Sequence, residues 1–280
     1  MDCASQVPDS RFINHMNTHP IGIIDSGSGG LSIWQSIRLL CPDESVVYVG
    51  DHRYLPYGSK STAFIVSRMK CIIGHLLHEY FCKLIIVACN SATVAGIERY
   101  REMFPHVPII GVVPVVKTAS EVTKTGSIVV FATPYTIKSV YQKRLIERFA
   151  GDKKVYVIKC PKLVSYIEKG VTKGPVIRKI LQNAFKKVLS HPVDVVVLGC
   201  THYVFIKEET EKVLGPKIRL LDSGGAVARQ TIRVMKAMGI TSTKKTTGDR
   251  FLTTGDAHHI SEITSLLTHT PIIFQLVTNL

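Results

Sequence analysis

Two stretches of the sequence decide the fold, LIIVACNSATVAGIERY (84–100) and VDVVVLGCTHYVFIKEE (193–209). Each begins with a β-branched apolar run, reaches a cysteine in a short polar turn, and continues into a segment of helical character. An apolar run that does not alternate with polar residues is typical of a strand buried on both faces of a parallel sheet. The sequence therefore predicts two strand–cysteine–helix units, in which Cys89 and Cys200 follow the carboxyl ends of their strands.

Similar apolar runs recur along the rest of the chain. They are IGII (21–24), VVYV (46–49), IIGVV (109–113), SIVVF (127–131), VYVI (155–158) and IRLL (218–221). Segments of helical character separate the runs, as at 62–81 and 175–189. Strands that alternate with helices predict an α/β fold with parallel sheets flanked by helices.

The chain also carries a faint internal duplication. IGIIDSGSGGLS (21–32) resembles SIVVFATPYTIKS (127–139), because both run from a strand into a turn of Ser, Thr or Gly. The two cysteine units form a second matching pair at a similar spacing, which indicates two related lobes. Ligands of open α/β sheets bind beyond the carboxyl ends of the strands, so two facing lobes predict one site in the cleft between them.

Composition places the chain among folded globular proteins. Hydrophobic residues make up 45% of its 280 residues and charged residues 20%. There is no apolar run of about 18 residues and no apolar core behind basic residues at the start, so we expect a cytoplasmic protein with no membrane partner. Residues 1–20 are interpreted as a flexible polar extension.

The formal net charge of +14 admits two interpretations. It suits an acidic partner such as nucleic acid, or a field that steers an anionic substrate into a cleft. The basic residues are scattered in short pairs such as Lys153-Lys154 and Lys186-Lys187, with no basic helix and no strand with interleaved aromatic residues. We therefore expect no nucleic-acid partner.

Seven cysteines without a Cys-x-x-Cys pair predict free thiols rather than a disulfide framework. Cys41, Cys71 and Cys82 are interpreted as small buried hydrophobes, and Cys160 as an inert buried thiol. The Cys-x-His pair at 200–202 has no second cluster with metal-ligand spacing, so we expect no metal site.

Cys89 and Cys200 are the candidates for chemistry because of where they lie. A thiol at a helix N-terminus feels the positive end of the helix dipole, which lowers its pKa. Polar neighbours offer donors that can hold a carboxylate, and they are Asn90, Ser91, Thr93, Thr201, His202 and Tyr203. The alternative is that both cysteines are structural and that these neighbours cap helices.

The turn DSGSGG (25–30) begins with Asp25 at the end of the first apolar run. Its glycines let the backbone approach a small anion, although Ser32 stands where a dinucleotide-binding fingerprint requires Gly. The alternative is that Asp25 caps a helix in a tight glycine turn.

Eight segments form an ordered set of motifs. They are IGIIDSGSGGLS (21–32), YVGDHRYLPYGSKS (48–61), VACNSAT (87–93), ATPYTIKSVY (132–141), CPKLVSYIEKG (160–170), LGCTHY (198–203), LLDSGGAVA (220–228) and FLTTGD (251–256). Together they resemble the glutamate racemase family. The resemblance implies two pseudo-symmetric α/β lobes that enclose the substrate, with residues 21–113 and 223–280 in the first lobe and 114–222 in the second.

The resemblance also implies which residues act. Those with catalytic roles are Cys89, Cys200, Asp25 and His202. Those that bind substrate are Asp25, Ser26, Tyr57, Gly58, Asn90, Ser91, Thr136, Thr201 and His202. Glu168 is either a polar residue of the pocket or a solvent-facing carboxylate on a helix. Tyr57 and Gly58 are alternatively plain turn residues after Pro56.

The activity implied is cofactor-independent racemisation of glutamate, which supplies D-glutamate for peptidoglycan. Inverting an α-carbon needs a base on one face and an acid on the other, and two thiols suit these roles if one is ionised. Aspartate racemisation is the second hypothesis, although Thr93 and His202 favour the glutamate branch. The third is a basic nucleic-acid-associated interaction protein. The sequence leaves a homodimer open.

Overall fold

The structure is a computed structural model that describes residues 16–245 and 247–280. Of the predicted flexible extension, residues 1–20, the part at 1–15 therefore lies outside the described residues. Of its last five residues, Met16–Thr18 form a 3₁₀ turn.

Strands alternate with helices along the described chain. The strands are β1 (Ile21–Asp25), β2 (Val46–Gly50), β3 (Leu84–Val87), β4 (Ile109–Gly111), β5 (Ser127–Ala132), β6 (Lys154–Lys159), β7 (Val195–Gly199), β8 (Arg219–Leu221), β9 (Arg250–Thr253) and β10 (Phe274–Leu276). The α-helices are α1 (Leu31–Leu40), α2 (Thr62–Glu79), α3 (Asn90–Met103), α4 (Val116–Val122), α5 (Pro134–Lys138), α6 (Val140–Ala150), α7 (Lys162–Ile167), α8 (Pro175–Phe185), α9 (Lys207–Leu214), α10 (Gly224–Met238) and α11 (Ala257–Thr268).

The strands form two parallel sheets. The first has the order β10-β9-β2-β1-β3-β4 and the second the order β6-β5-β7-β8, with parallel pairing throughout. In β2-β1-β3-β4 the second strand along the chain comes first, followed by the first, third and fourth. The strands β6-β5-β7-β8 have the same order, so the second sheet repeats part of the first. The predicted α/β fold with parallel sheets is confirmed, and β3 and β7 hold equivalent places.

The central strands form where β-branched runs are buried on both faces. Every residue of β1, β2, β3, β5 and β7 is buried. Successive side chains of a strand point to opposite faces. Ile23 therefore packs in the apolar cluster that holds residues of α1 and α10, and Ile24 packs in the cluster that holds residues of α2 and α3. Each sheet face is thus covered by helices.

The chain passes between the two sheets after β4 and again before α10. The hydroxyl of Ser223 donates a hydrogen bond to the carbonyl oxygen of Val113 at 2.8 Å, which ties the two crossings together. After the second crossing β9 and β10 extend the first sheet beyond β2, with Phe251 opposite Tyr48. The C-terminal segment therefore returns to the first sheet.

Some local expectations need correction. The helix predicted over 62–81 ends at Glu79, and the one predicted over 175–189 ends at Phe185. Cys71 is partly exposed rather than buried, because it lies on α2 outside the face that packs Met69, Ile72 and Ile73 into the core. No α-helix among the described residues is long and apolar enough to cross a membrane.

Candidate active site

The two predicted cysteines follow equivalent strands. Cys89 lies between β3 and α3, where it is the N-cap residue of the helix. Cys200 follows β7 and precedes a 3₁₀ turn, Thr201–Ile206. Their exposed fractions are 7% and 5%, so both thiols are buried at the carboxyl ends of their sheets.

The loop after β1 connects the two cysteines through a chain of contacts. Cys89 donates a hydrogen bond through Sγ to the hydroxyl of Ser26 at 3.6 Å. The Ser26 hydroxyl lies 3.4 Å from Asp25 Oδ1, which also accepts from the backbone N–H of Gly27 at 2.9 Å. Asp25 Oδ2 accepts from the hydroxyl of Thr201 at 3.1 Å. Thr201 is the neighbour of Cys200, so the chain at each cysteine contacts the same loop.

Two glycines of this loop make room for side chains from the second half of the chain. A Cβ added to Gly27 would collide with Oε1 of Glu168, and one added to Gly29 would collide with Nδ1 of His202. Atoms in a packed interior cannot overlap in this way without displacement. A side chain at either position would therefore displace Glu168 or His202 from its place beside the loop.

A buried acid–imidazole pair stands beside Cys200. Nδ1 of His202 lies 3.9 Å from Sγ of Cys200, and Nε2 lies 2.5 Å from Oε1 of Glu168. Ser28 donates to the same carboxylate, through its backbone N–H to Oε1 at 2.7 Å and through its hydroxyl to Oε2 at 2.8 Å. The alternative in which Glu168 is a solvent-facing carboxylate is wrong, since its side chain is only 12% exposed.

Hydrogen bonds outweigh burial for both members of this pair. Burial alone raises the pKa of Glu168, but the hydrogen bond and charge of His202 bring it down to about 2. Burial alone lowers the pKa of His202, but hydrogen bonds to Cys200 and Glu168 raise it well above its ordinary value. The pair is therefore a carboxylate and an imidazolium, with a positive charge next to the sulfur of Cys200.

The environment of Cys89 is different. Burial raises the pKa of Asp25 to about 6, against the opposing charge of His202. Burial and the charge of Asp25 together raise the pKa of Cys89 to about 12. The predicted lowering of the Cys89 pKa by the helix dipole is wrong for this structure, because desolvation of a fully buried thiolate exceeds the effect of a helix terminus.

The remaining predicted binding residues divide between cleft and scaffold. The hydroxyl of Ser91 lies 3.2 Å from that of Thr133, which lies 3.0 Å from that of Thr136. A Cβ at Gly58 would lie 3.7 Å from the Ser91 hydroxyl, so Gly58 borders the same group. Asn90 donates through Nδ2 to the carbonyl oxygen of Val112 at 3.2 Å. This part of the site thus joins α3 to α5.

The hydroxyl of Tyr57 has a structural partner. It donates to Oδ2 of buried Asp51 at 2.6 Å, and its side chain is fully buried. Asp51 also accepts from the guanidinium of Arg68 at 2.8 and 3.0 Å and from the hydroxyl of Thr254 at 2.8 Å. Tyr57 therefore anchors the segment that carries Gly58, rather than presenting its hydroxyl to the cleft.

The sequence interpretation did not single out three polar residues of the site. Ser28 and Thr133 have the contacts given above, and Nε2 of His52 lies 3.1 Å from the hydroxyl of Ser28. All three lie within motifs of the resemblance, but no local pattern connects them with the other residues of the site. Among residues 16–245 and 247–280, no group of three or more His, Cys, Asp or Glu side chains is arranged to hold a metal ion.

Two repeated parallel sheets, each with a buried cysteine after the equivalent strand, agree with the resemblance to a class of isomerases, the amino-acid racemases. The chain belongs to the Asp/Glu/Hydantoin racemase family, whose sequence profile matches residues 21–231.

Known proteins place the chain more closely within that family. A glutamate racemase from Ectopseudomonas mendocina is 39% identical over 248 residues, which are 89% of this chain and 94% of that protein. A glutamate racemase isoform from Bacillus anthracis has a similar structure, with a TM-score of 0.86, 28% identity and coverage of 93% of this chain and 98% of that one. The glutamate racemase of Francisella tularensis in complex with D-glutamate has a TM-score of 0.82, 28% identity and coverage of 94% and 98%. The predicted resemblance to glutamate racemases is confirmed.

Proposed function

We propose that this protein interconverts L-glutamate and D-glutamate without a cofactor, with Cys89 and Cys200 as the two proton-transferring groups. The observation that carries the proposal is the position of the two thiols. Both are buried, both follow equivalent strands, and both border the loop that begins at Asp25. The names of the relatives and the D-glutamate complex of the Francisella protein support glutamate as the substrate.

Racemisation proceeds by two proton transfers. In one direction a thiolate takes the α-proton, and the thiol on the opposite face gives its own proton to the other side of the carbanion. In the reverse direction the roles exchange. After each turnover the first sulfur holds the proton that the second has lost, so a proton must return before the next turnover in the same direction.

The charged neighbours suit these two states. The imidazolium of His202 stands beside the sulfur of Cys200, where a cation stabilises negative charge. Cys89 is held in its thiol form by burial and by Asp25. In our proposal Cys200 therefore starts as the base for one enantiomer, and Cys89 starts as the acid. Asp25 and His202 assist, each from its own half of the site.

The carbanion needs stabilisation because the α-proton of an amino acid is a weak acid. Fixed donors around the substrate α-carboxylate supply it in a site that excludes water. We assign this role to the polar groups at the helix starts, which are Ser26, Gly58, Asn90, Ser91, Thr136 and Thr201. The hydroxyl chain from Ser91 to Thr136 supports the assignment, since it lies beside Gly58 and crosses from α3 to α5.

Circular dichroism of L- and D-glutamate, with no cofactor added, tests the proposed function. We expect the signal of either enantiomer to decay to zero, and the product formed in deuterated water to carry deuterium at the α-carbon. Faster conversion of aspartate than of glutamate would support the second hypothesis instead. No turnover of either amino acid, with salt-sensitive binding of DNA, would support the nucleic-acid-associated protein.

Four further parts complete the proposal. The D-glutamate formed supplies peptidoglycan synthesis, and the protein works in the cytoplasm. The lobes run over 21–113 with 223–280 and over 114–222, a division that the strand content of the two sheets supports. A homodimer stays an alternative to a monomer, and sedimentation of the purified protein distinguishes the two.

A further inference from the structure

Ser28 and His52 extend the Glu168–His202 pair into the first sheet. The hydroxyl of Ser28 lies between Oε2 of Glu168, at 2.8 Å, and Nε2 of His52, at 3.1 Å. Nδ1 of His52 lies 2.8 Å from the hydroxyl of Thr253 on β9. A continuous row of polar contacts therefore runs from β9 to the imidazole beside Cys200.

The ring of His52 has a fitted position. A Cβ added to Gly50 would collide with its Cε1, and one added to Gly255 would lie 3.0 Å from its Cβ. The ring of Phe274 on β10 packs edge-on against it, with ring centroids 5.8 Å apart. Three segments of the first sheet thus hold the imidazole where its Nε2 meets the Ser28 hydroxyl.

The donor at Ser28 can be assigned from its acceptor. An ionised carboxylate only accepts, so Ser28 must give its single hydroxyl proton to Glu168. His52 has two possible tautomers, because its Nδ1 lies 3.0 Å from the carbonyl oxygen of Gly50, which only accepts, and 2.8 Å from the hydroxyl of Thr253, which can donate. The inference below rests on the tautomer in which Thr253 donates to Nδ1 and Nε2 donates to the Ser28 hydroxyl oxygen.

We propose that Ser28 and His52 are positioning residues of the racemase site, which clamp the second oxygen of Glu168 so that its first oxygen stays on His202. The inference rests on the proposed function, because it explains how His202 is kept in place beside Cys200. Oε1 of Glu168 accepts from His202 and from the Ser28 backbone, and Oε2 accepts from the Ser28 hydroxyl. Without the hydroxyl, Oε2 loses this partner and only the bonds at Oε1 hold the carboxylate against the imidazole.

Two substitutions remove the clamp and one retains it. Ser28→Ala deletes the hydroxyl, and His52→Phe deletes the donor while it keeps an aromatic ring against Phe274. His52→Gln keeps an N–H donor near the position of Nε2. We expect the first two to lower kcat for glutamate about tenfold, the effect of one hydrogen bond to a charged group, with KM changed less than about threefold. We expect His52→Gln to retain most of the wild-type kcat.

If Ser28 and His52 had only a structural role, their substitution would leave the titration of His202 unchanged. The charge state of His202 therefore tests the inference. With Glu168 displaced, the raised pKa of His202 falls, and the alkaline limb of kcat moves to lower pH. Imidazole ¹⁵N NMR follows this titration without turnover. The titratable groups that face His202 are Glu168, Cys200, Asp25 and His52.

Matched controls are His258→Gln on α11 and Ser190→Ala, since both side chains are exposed and their contacts, with Glu262 and with the carbonyl oxygen of Lys187, lie outside the site. In a Glu168→Gln background, Ser28→Ala should cost less than about twofold more, because the charge that Ser28 positions is gone. The inference is overturned if Ser28→Ala and His52→Phe keep both the wild-type kcat and the His202 titration. It is also overturned if His52→Gln, folded by circular dichroism, is as slow as His52→Phe.

The two proposals fail separately. If the wild-type protein does not racemise glutamate, the proposed function fails. The His202 titration of Ser28→Ala and His52→Phe still decides whether the clamp exists, since that measurement needs no substrate.

Discussion

The surroundings of Cys89 and Cys200 differ far more than their backbone positions do. Each thiol follows the same strand of its sheet, and each is buried. Yet the thiol of Cys89 faces the carboxyl of Asp25, whereas that of Cys200 faces an imidazolium held by Glu168. The fold repeats the geometry of the site but not its charge.

The difference teaches how a symmetric fold can start an asymmetric reaction. Two-base racemisation requires one ionised and one protonated group at the outset, and two identical environments would not specify which is which. Desolvation keeps the proton on Cys89, and the buried pair supplies a cation at Cys200. In our proposal the side chains around the thiols, rather than the strands that carry them, set the direction of the first proton transfer.

The largest effect should come from removing either thiol. We expect Cys89→Ser and Cys200→Ser each to lower kcat by about 10²- to 10⁴-fold, the usual range for loss of a general acid or base. Circular dichroism measures the rate with each enantiomer. Cys71→Ser is the matched control, because that thiol is partly exposed on α2 and should keep the wild-type kcat. Near wild-type interconversion by either single variant contradicts the two-thiol mechanism.

A smaller loss should follow from neutralising the acid–imidazole pair. Glu168→Gln keeps the shape of the side chain but removes the charge that raises the pKa of His202. We expect kcat to fall about 10- to 100-fold and the alkaline limb of the pH–rate profile to move to lower pH. Glu262→Gln is the control, since Glu262 is 62% exposed. An unshifted alkaline limb in Glu168→Gln would mean that the pair does not tune the Cys200 side.

The smallest effect concerns the Cys89 side and is measured as stability. The pKa of buried Asp25 is raised from 3.8 to about 6, so the folded protein favours the protonated carboxyl. The free energy of unfolding is therefore highest, as far as Asp25 is concerned, below pH 3.8. It falls as the pH rises through about 6, by up to about 3 kcal/mol once the buried carboxyl is ionised.

Asp25→Asn should therefore stabilise the fold at pH 8, by about 1–2 kcal/mol, and give no gain at pH 4. Urea unfolding at the two pH values measures the difference. The same variant should lose activity, because Asp25 is proposed to assist Cys89. An equal gain in stability at both pH values would show that ionisation of the Asp25 carboxyl does not destabilise the folded protein.

The strands were predictable from sequence where both faces are buried. Eight apolar runs correspond to β1 to β8. The central strands β1, β2, β3, β5 and β7 are apolar because both of their faces are buried, whereas β6 and β8 keep an apolar run although they have exposed residues at the edges of the second sheet. β9 and β10 carry no such run, since RFLT (250–253) and FQL (274–276) mix polar and apolar residues at the margin of the sheet. β9 pairs with β2 and β10 pairs with β9, and no local pattern reveals these contacts.

The site was predictable where a pattern repeats and not where a single side chain acts at a distance. The duplicated strand–cysteine unit is a local pattern, and it is sufficient to indicate Cys89 and Cys200. Nothing local connects Ser28 with Glu168, which is 140 positions away. The helix-dipole prediction for Cys89 was wrong for a related reason, since burial depends on what the rest of the chain packs around the thiol.

The bare backbone at Gly27 and Gly29 sets the spacing of the reactive groups. Any side chain there would occupy the space now taken by Glu168 and His202, and a single methyl group would act as a wedge between the two halves of the crevice. In our proposal these two glycines therefore set the distance between the proton-transferring groups, Cys89 and Cys200. A gap one carbon atom wider would leave both sulfurs chemically intact, but neither would reach its own face of the substrate.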